Sequence, residues 1–146
     1  MEKRVRRLGP RDAAEAAEVV RTFKGSARPT EELQGFLANP ANYLLVAESD
    51  KQPAGFLTAY RLERPDRDAG QMFVYEIGVA PSWRGQGLAA ALIQEIKTLA
   101  REEGMSEAFV LTNHDNEAAL RLYESTGGVV EEDSAVLFVY PMAATS

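Results

Sequence analysis

Residues 74–93 read VYEIGVAPSWRGQGLAAALI. An apolar run ends at Pro81, the chain passes through Arg84-Gly85-Gln86-Gly87, and an alanine- and leucine-rich stretch follows. Leu88, Leu92, Ile96 and Leu99 share one face of a helix, so this is a strand, a tight turn and a helix in series. A helix begins with backbone N–H groups that have no helical partner, and it carries a partial positive charge there. Glycines at that point bare the backbone, and Arg84 adds a cation with bidentate geometry. Residues 84–89 therefore read as a cradle for a phosphate or pyrophosphate. The alternative is a tight strand-to-helix turn with no ligand. Neither GxxxxGKS/T nor GxGxxG is present.

Working outward, the pattern predicts a short strand at 3–8 and a helix to about Phe23, with Asp12 and Glu15 as a capping box. A second short helix begins at Thr30 and stops before Asn39-Pro40. Strands at 43–48 and 54–61 form a hairpin. A polar loop spans 64–70, and a strand spans 71–79. The long helix ends at Gly104. A strand at 108–112 follows, then a helix capped by Asp115 or Asn116 and stopped by Gly127-Gly128. One or two closing strands occupy 129–140. This order predicts a single α/β domain over residues 1–146, with a mixed sheet of six to seven strands flanked by about four helices.

Composition narrows the function. The chain has 146 residues, 45% of them hydrophobic and 26% charged, which suits one domain with a substantial core. It has no cysteine, which excludes disulfides and a thiol nucleophile and fits a reducing, cytoplasmic location. The N-terminus is too charged for a signal peptide. No apolar run approaches the roughly 18 residues of a membrane span. One histidine, His114, makes a zinc site a poor expectation; it reads as a surface residue, and Trp83 reads as packing on the turn. Net charge is −6, which argues against a general nucleic-acid surface. Lys3, Arg4, Arg6, Arg7 and Arg11 crowd the first eleven residues, whereas residues 102–133 carry nine acids and only Arg121. The acids read either as a solvated face or as a docking surface for a cationic ligand.

Two blocks carry a family resemblance. Arg84-Gly85-Gln86-Gly87-Leu88-Ala89 resembles Q/R-x-x-G-x-G/A, the acetyl-CoA-binding motif of the GCN5-related N-acetyltransferases (GNAT). Asn116-Glu117-Ala118-Ala119-Leu120-Arg121-Leu122-Tyr123, followed by Gly127, is similar to that family's N-x-x-A-x-x-L-Y segment. The resemblance implies a GNAT fold and acetyl-CoA as cofactor. Backbone N–H groups of Gly85, Gln86, Gly87, Leu88 and Ala89 would hold the pyrophosphate beside Arg84. Ile77, Gly78 and Val79 would pair with the pantetheine arm as a strand does, and the Val79 N–H would stabilise the oxyanion. Asn116 and Ala119 fall to the cofactor as well. Tyr123 would protonate the leaving thiolate, a task that suits a phenol with pKa near 10. Glu76, three residues before Val79, is the best candidate for the base that deprotonates the amine. Asp115 and Glu132 are weaker candidates.

A narrower resemblance concerns the acceptor. Residues 59–66, 74–93 and 122–133 look like the small aminoglycoside 3-N-acetyltransferases of the gentamicin-resistance type. In that subgroup an aspartate stands where Glu76 is, and the loop before the last helix is Asp-rich and contains proline. Here that loop is Thr112-Asn113-His114-Asp115-Asn116. Glu76, Asp115, Glu131, Glu132 and Asp133 would form an acidic cleft for a polycation. The expected reaction is N-acetylation of a cationic small-molecule amine by direct attack in a ternary complex, with a homodimer left open. The alternatives are another acceptor (a polyamine, an amino sugar or a protein N-terminus), a non-catalytic acetyl-CoA sensor, or an enzyme acting on charged tRNA.

Overall fold

The computed structural model describes residues 3–143. Its elements are β1 (Lys3–Arg7), α1 (Ala13–Lys24), α2 (Thr30–Ala38), β2 (Asn42–Ser49), β3 (Gln52–Arg64), β4 (Arg67–Val79), α3 (Leu88–Glu102), β5 (Glu107–Val110) and α4 (Glu117–Ser125), with 3-10 turns at Pro10–Asp12 and Pro81–Trp83. The five strands form one mixed sheet in the order β1-β2-β3-β4-β5. Every neighbouring pair is antiparallel except β4 and β5, which are parallel.

β2 shows why the sheet is central. Successive side chains point to opposite faces, and both faces are covered. Tyr43, Leu45 and Ala47 join the core under α3, together with Leu57, Met72, Leu92 and Ile96. Leu44 and Val46 join the core under α1 and α2, with Ala16, Val19 and Leu37. The face of α3 that packs inward is the one its leucine spacing marks. Leu88, Leu92 and Ile96 are all buried, and Leu99 packs against the same core.

The structure corrects several expectations. The sheet has five strands among the described residues, not six to seven. Residues 129–140 form no strand and are exposed, and no strand among the described residues pairs with them. The capping box lies one step earlier than expected: Gly9 N–H donates to Asp12 Oδ2 at 2.8 Å, while Glu15 is drawn to Arg6. Helix α2 is capped by Pro29 backbone, and Thr30 is its first residue. The expected polar loop at 64–70 is strand. β3 and β4 continue to a two-residue turn, Pro65-Asp66, with Arg64 opposite Arg67 and Asp66 accepting from Arg64 Nε at 3.1 Å. Polar residues there read as loop because this end of the hairpin lies outside the core.

Candidate active site

The cleft arises from two irregularities in β4. Thr58 pairs with Glu76 and Ala59 with Val74, so Tyr75 is an extra residue, a β-bulge that re-aims the strand. β5 then pairs only with residues 71–74 of β4. Past that point the two parallel strands separate. Ala80 N–H donates to Ala54 O of β3 at 2.8 Å. Because backbone direction alternates along a strand, the N–H groups of Ile77 and Val79 point the other way, into the gap. The result is a cleft of about 690 Å³ lined by Lys24, Phe56, Glu76, Val79, Arg84 and Tyr123, among others.

The turn that follows Arg84, which lines the cleft, has the geometry of an anion cradle. Gly85 and Gly87 take positive φ of 78° and 79°, which favours glycine at both positions. Gly87 is the N-cap of α3, and the first helical bond runs from Ala91 N–H to Gly87 O at 3.0 Å. The N–H groups before Ala91 therefore have no helical acceptor. A Cβ at either glycine would meet nothing within 4 Å, so the backbone faces open space. Arg84 Nε donates to Val79 O at 3.3 Å, tying the cradle to the end of β4. Lys3 Nζ donates to Gln86 O at 2.8 Å and adds a second cation. These donors fit a pyrophosphate group.

Glu76 lies at the bulge. Its carboxylate accepts from Lys24 Nζ, and its Oε1 lies 3.4 Å from Thr58 Oγ1. The Glu76 hydrogen bond and charge raise the Lys24 pKa, so the ammonium stays protonated. Tyr123, on α4, faces the cleft, and burial pushes its phenol above the ordinary value. Asn116 also lines the cleft. Its Oδ1 is engaged as the cap of α4, accepting from Ala119 N–H at 3.1 Å.

Other expected residues fall elsewhere. Leu88 is buried in the core and offers only its backbone to the cradle. Asp115 and Glu131 are exposed and outside the cleft lining, as are Glu132 and Asp133. Glu132 caps Ser134, accepting from its N–H at 2.9 Å, which holds the Glu132 carboxylate below its usual pKa. The Asp133 carbonyl oxygen lies 3.0 Å from His114 Nε2. Of the acids proposed for the acceptor, the structure brings only Glu76 to the cleft. Sequence reasoning missed Lys24, which ends α1, and Lys3. Neither sits in a motif, and each reaches the site only through tertiary packing.

Residues 13–128 match the family model described as the acetyltransferase (GNAT) family. The chain belongs to that family. The family is one of acetyltransferases. The fold is similar to a crystal structure of an aminoglycoside acetyltransferase, meta-AAC0020, from an uncultured soil metagenomic sample, with 28% identity, 96% of each chain covered and a TM-score of 0.88. N-acetyltransferase family 8 member 2 of Rattus norvegicus is 30% identical over 82 residues, covering 56% of this chain and 36% of that protein. Mycothiol acetyltransferase of Renibacterium salmoninarum is 30% identical over 106 residues, covering 73% of this chain and 31% of that protein. The chain thus spans about a third of the length of these two curated relatives.

Proposed function

We propose that this protein acetylates an amino group of a polycationic small molecule of the aminoglycoside type, at the 3-amino position, in a ternary complex with acetyl-CoA. The observation that carries the reading is Lys24 on Glu76. An ammonium group of the chain itself already lies against Glu76, the one acid among the described residues that line the cleft, which supports a site for a cation. The likeness to an aminoglycoside acetyltransferase over nearly the whole chain supports it.

When bound, acetyl-CoA supplies an acetyl group activated as a thioester. Arg84 and the backbone of residues 85–89 would hold its pyrophosphate. Ile77 and Val79 would present strand backbone to the pantetheine arm. Glu76 orients the ammonium of the acceptor and takes its proton, directly or through water. Val79 N–H offers a donor to the oxygen that gains negative charge. Tyr123 holds a proton at its phenol oxygen for the departing sulfur. Burial keeps that phenol protonated well above neutral pH.

The arginines near the N-terminus weaken the tRNA reading. Arg6 is held by Asp12, Glu15 and Glu48, and the Arg7 guanidinium lies 3.9 Å over the Tyr43 ring. These cations are engaged within the fold.

The test is acetyl-CoA-dependent thiol release against gentamicin, kanamycin, spermidine, glucosamine and a peptide panel. Turnover with gentamicin at the 3-amino group, located by NMR of the product, is expected. Turnover only with another amine would retain the chemistry and discard the aminoglycoside. Acetyl-CoA binding with no turnover on any amine would favour a sensor.

A further inference from the structure

The chain has four lysines, and one of them reaches the cleft. Lys3 Nζ donates to Gln86 O and Lys97 Nζ to Thr126 O, each at 2.8 Å. Lys51 stands in the turn between β2 and β3. Lys24 alone lines the cleft that also holds Glu76, Val79 and Tyr123.

Packing fixes it there. Phe23, the residue before it, stacks on Phe56 of β3 with ring centroids 4.7 Å apart. The Phe56 ring lies over Gly78 of β4, where an added Cβ would come within 2.9 Å of Phe56 Cε1. Gly78 pairs with Phe56 and Glu76 with Thr58, so Gly78 and Glu76 share one face of β4. The end of α1 is thus pressed onto the strand that carries Glu76. Gly25, at a φ of 86°, turns the chain away directly after Lys24. The Lys24 side chain is half exposed, so its pair with Glu76 breaks readily.

In the proposed reaction an acceptor nitrogen meets Glu76, gives it a proton and attacks a thioester beside Val79 and Tyr123. Lys24 Nζ is a primary amine already on that carboxylate. We propose that Lys24 is itself an acetyl acceptor: with acetyl-CoA bound and no amine present, the chain acetylates its own Lys24 Nζ. Self-acetylation rests on the acetyl-transfer reading. The Glu76 hydrogen bond and charge hold Lys24 in its ammonium form, so the step begins with proton transfer to Glu76. Lys24 Nζ then forms an N–C bond to the thioester carbonyl carbon as the C–S bond breaks. The Tyr123 phenol protonates the leaving sulfur and regains the proton that the nitrogen loses on becoming an amide. The proton on Glu76 passes to water. The products are acetyl-lysine and free coenzyme A. An amide is stable, so this is a lasting modification and not an acyl-enzyme step of each turnover. It removes the charge that pairs with Glu76 and frees that carboxylate for an acceptor ammonium.

The test incubates the purified full chain with ¹³C-labelled acetyl-CoA and no amine, and maps the label by peptide mass spectrometry. Lys24 is expected to be labelled roughly tenfold or more above Lys3, Lys51 and Lys97, because it alone is held at the site. The rate per molecule is expected to be independent of protein concentration. Tyr123→Phe, in a protein that still binds acetyl-CoA, is expected to slow it by about 10²-fold. Unlabelled acetyl at Lys24 before incubation, absent from Tyr123→Phe, counts as the same result. An unmodified Lys24, even labelling of the four lysines, or an equal rate in Tyr123→Phe would overturn the proposal. A rate that rises with protein concentration would do so too. The same protein is assayed on the amine panel. Turnover there with Lys24 unmodified discards self-acetylation alone, whereas the absence of both discards the acetyl-transfer reading as well. After full modification the acceptor KM is expected to fall by up to about fivefold. An unchanged or higher KM would overturn the release of Glu76.

Discussion

At the residue scale, the site rests on a few side chains whose roles follow from what surrounds them. Tyr123 is a helix residue with its phenol pushed up by burial, so it keeps its proton over the whole neutral range. Tyr123→Phe is expected to lower kcat by about 10²-fold or more, in the range of general-acid effects, while the Kd for acetyl-CoA measured by calorimetry stays unchanged. An unaltered kcat would remove Tyr123 from that role. Lys24 is paired with Glu76, so in the proposed mechanism it would compete with the acceptor for that carboxylate. Exposed ion pairs are weak, so Lys24→Met is expected to lower the acceptor KM by up to about fivefold and leave the KM for acetyl-CoA alone. A higher acceptor KM would instead make Lys24 the residue that orients the carboxylate. Glu76 was legible from its place in the strand, three residues before Val79. Lys24 was not, because it lies 52 positions from Glu76 and nothing in its neighbourhood marks it.

At the element scale, the decisive unit is the strand–turn–helix of β4 and α3. The turn residues were legible because a helix start with two glycines and an arginine has few structural uses other than a bare anion site or a tight turn. Gly87 tests the backbone requirement. A side chain there meets open space, so any penalty comes from the left-handed conformation. Gly87→Ala is expected to cost roughly 1–2 kcal/mol of stability and to raise the Kd for acetyl-CoA several-fold, both measured on the same protein by thermal melts and calorimetry. Full affinity in this variant would show that the cradle does not depend on that conformation. The bulge at Tyr75 had no sequence signal. It is visible only as a shift in pairing between β3 and β4, yet it separates β4 from β5 and opens the cleft.

At the scale of the whole molecule, stability and charge are tied at the far side of the sheet. Tyr43 is fully buried, and its hydroxyl donates to Glu103 at 2.5 Å. Burial first, then the Glu103 carboxylate, push its pKa up to about 12. The unfolded phenol titrates near 10, so the folded state holds the proton more tightly. The stabilisation is therefore fully present below pH 10 and is lost as pH rises through 12, a change of roughly 2–3 kcal/mol. Urea melts between pH 9 and 12 are expected to show this loss, and Tyr43→Phe is expected to flatten it. An equal pH dependence in both proteins would assign the loss to other groups.

The chain's local patterns determined much of this molecule. Apolar spacing in residues 88–99 dictates an amphipathic helix, and glycines with an arginine at its start dictate an exposed, cationic backbone turn. Both are properties of neighbours within a few positions, so they are readable without a fold. Tertiary structure alone decided what the acids and the last strand do. Glu131, Glu132 and Asp133 are carboxylates like Glu76, but of these four only Glu76 lies on a strand whose bulge faces the cleft. Residues 135–140 have the composition of a strand, but a strand also needs an edge to pair with, and the described chain does not bring one to them. Periodicity reports which residues a segment will bury, whereas the surface that buries them is set by the rest of the molecule.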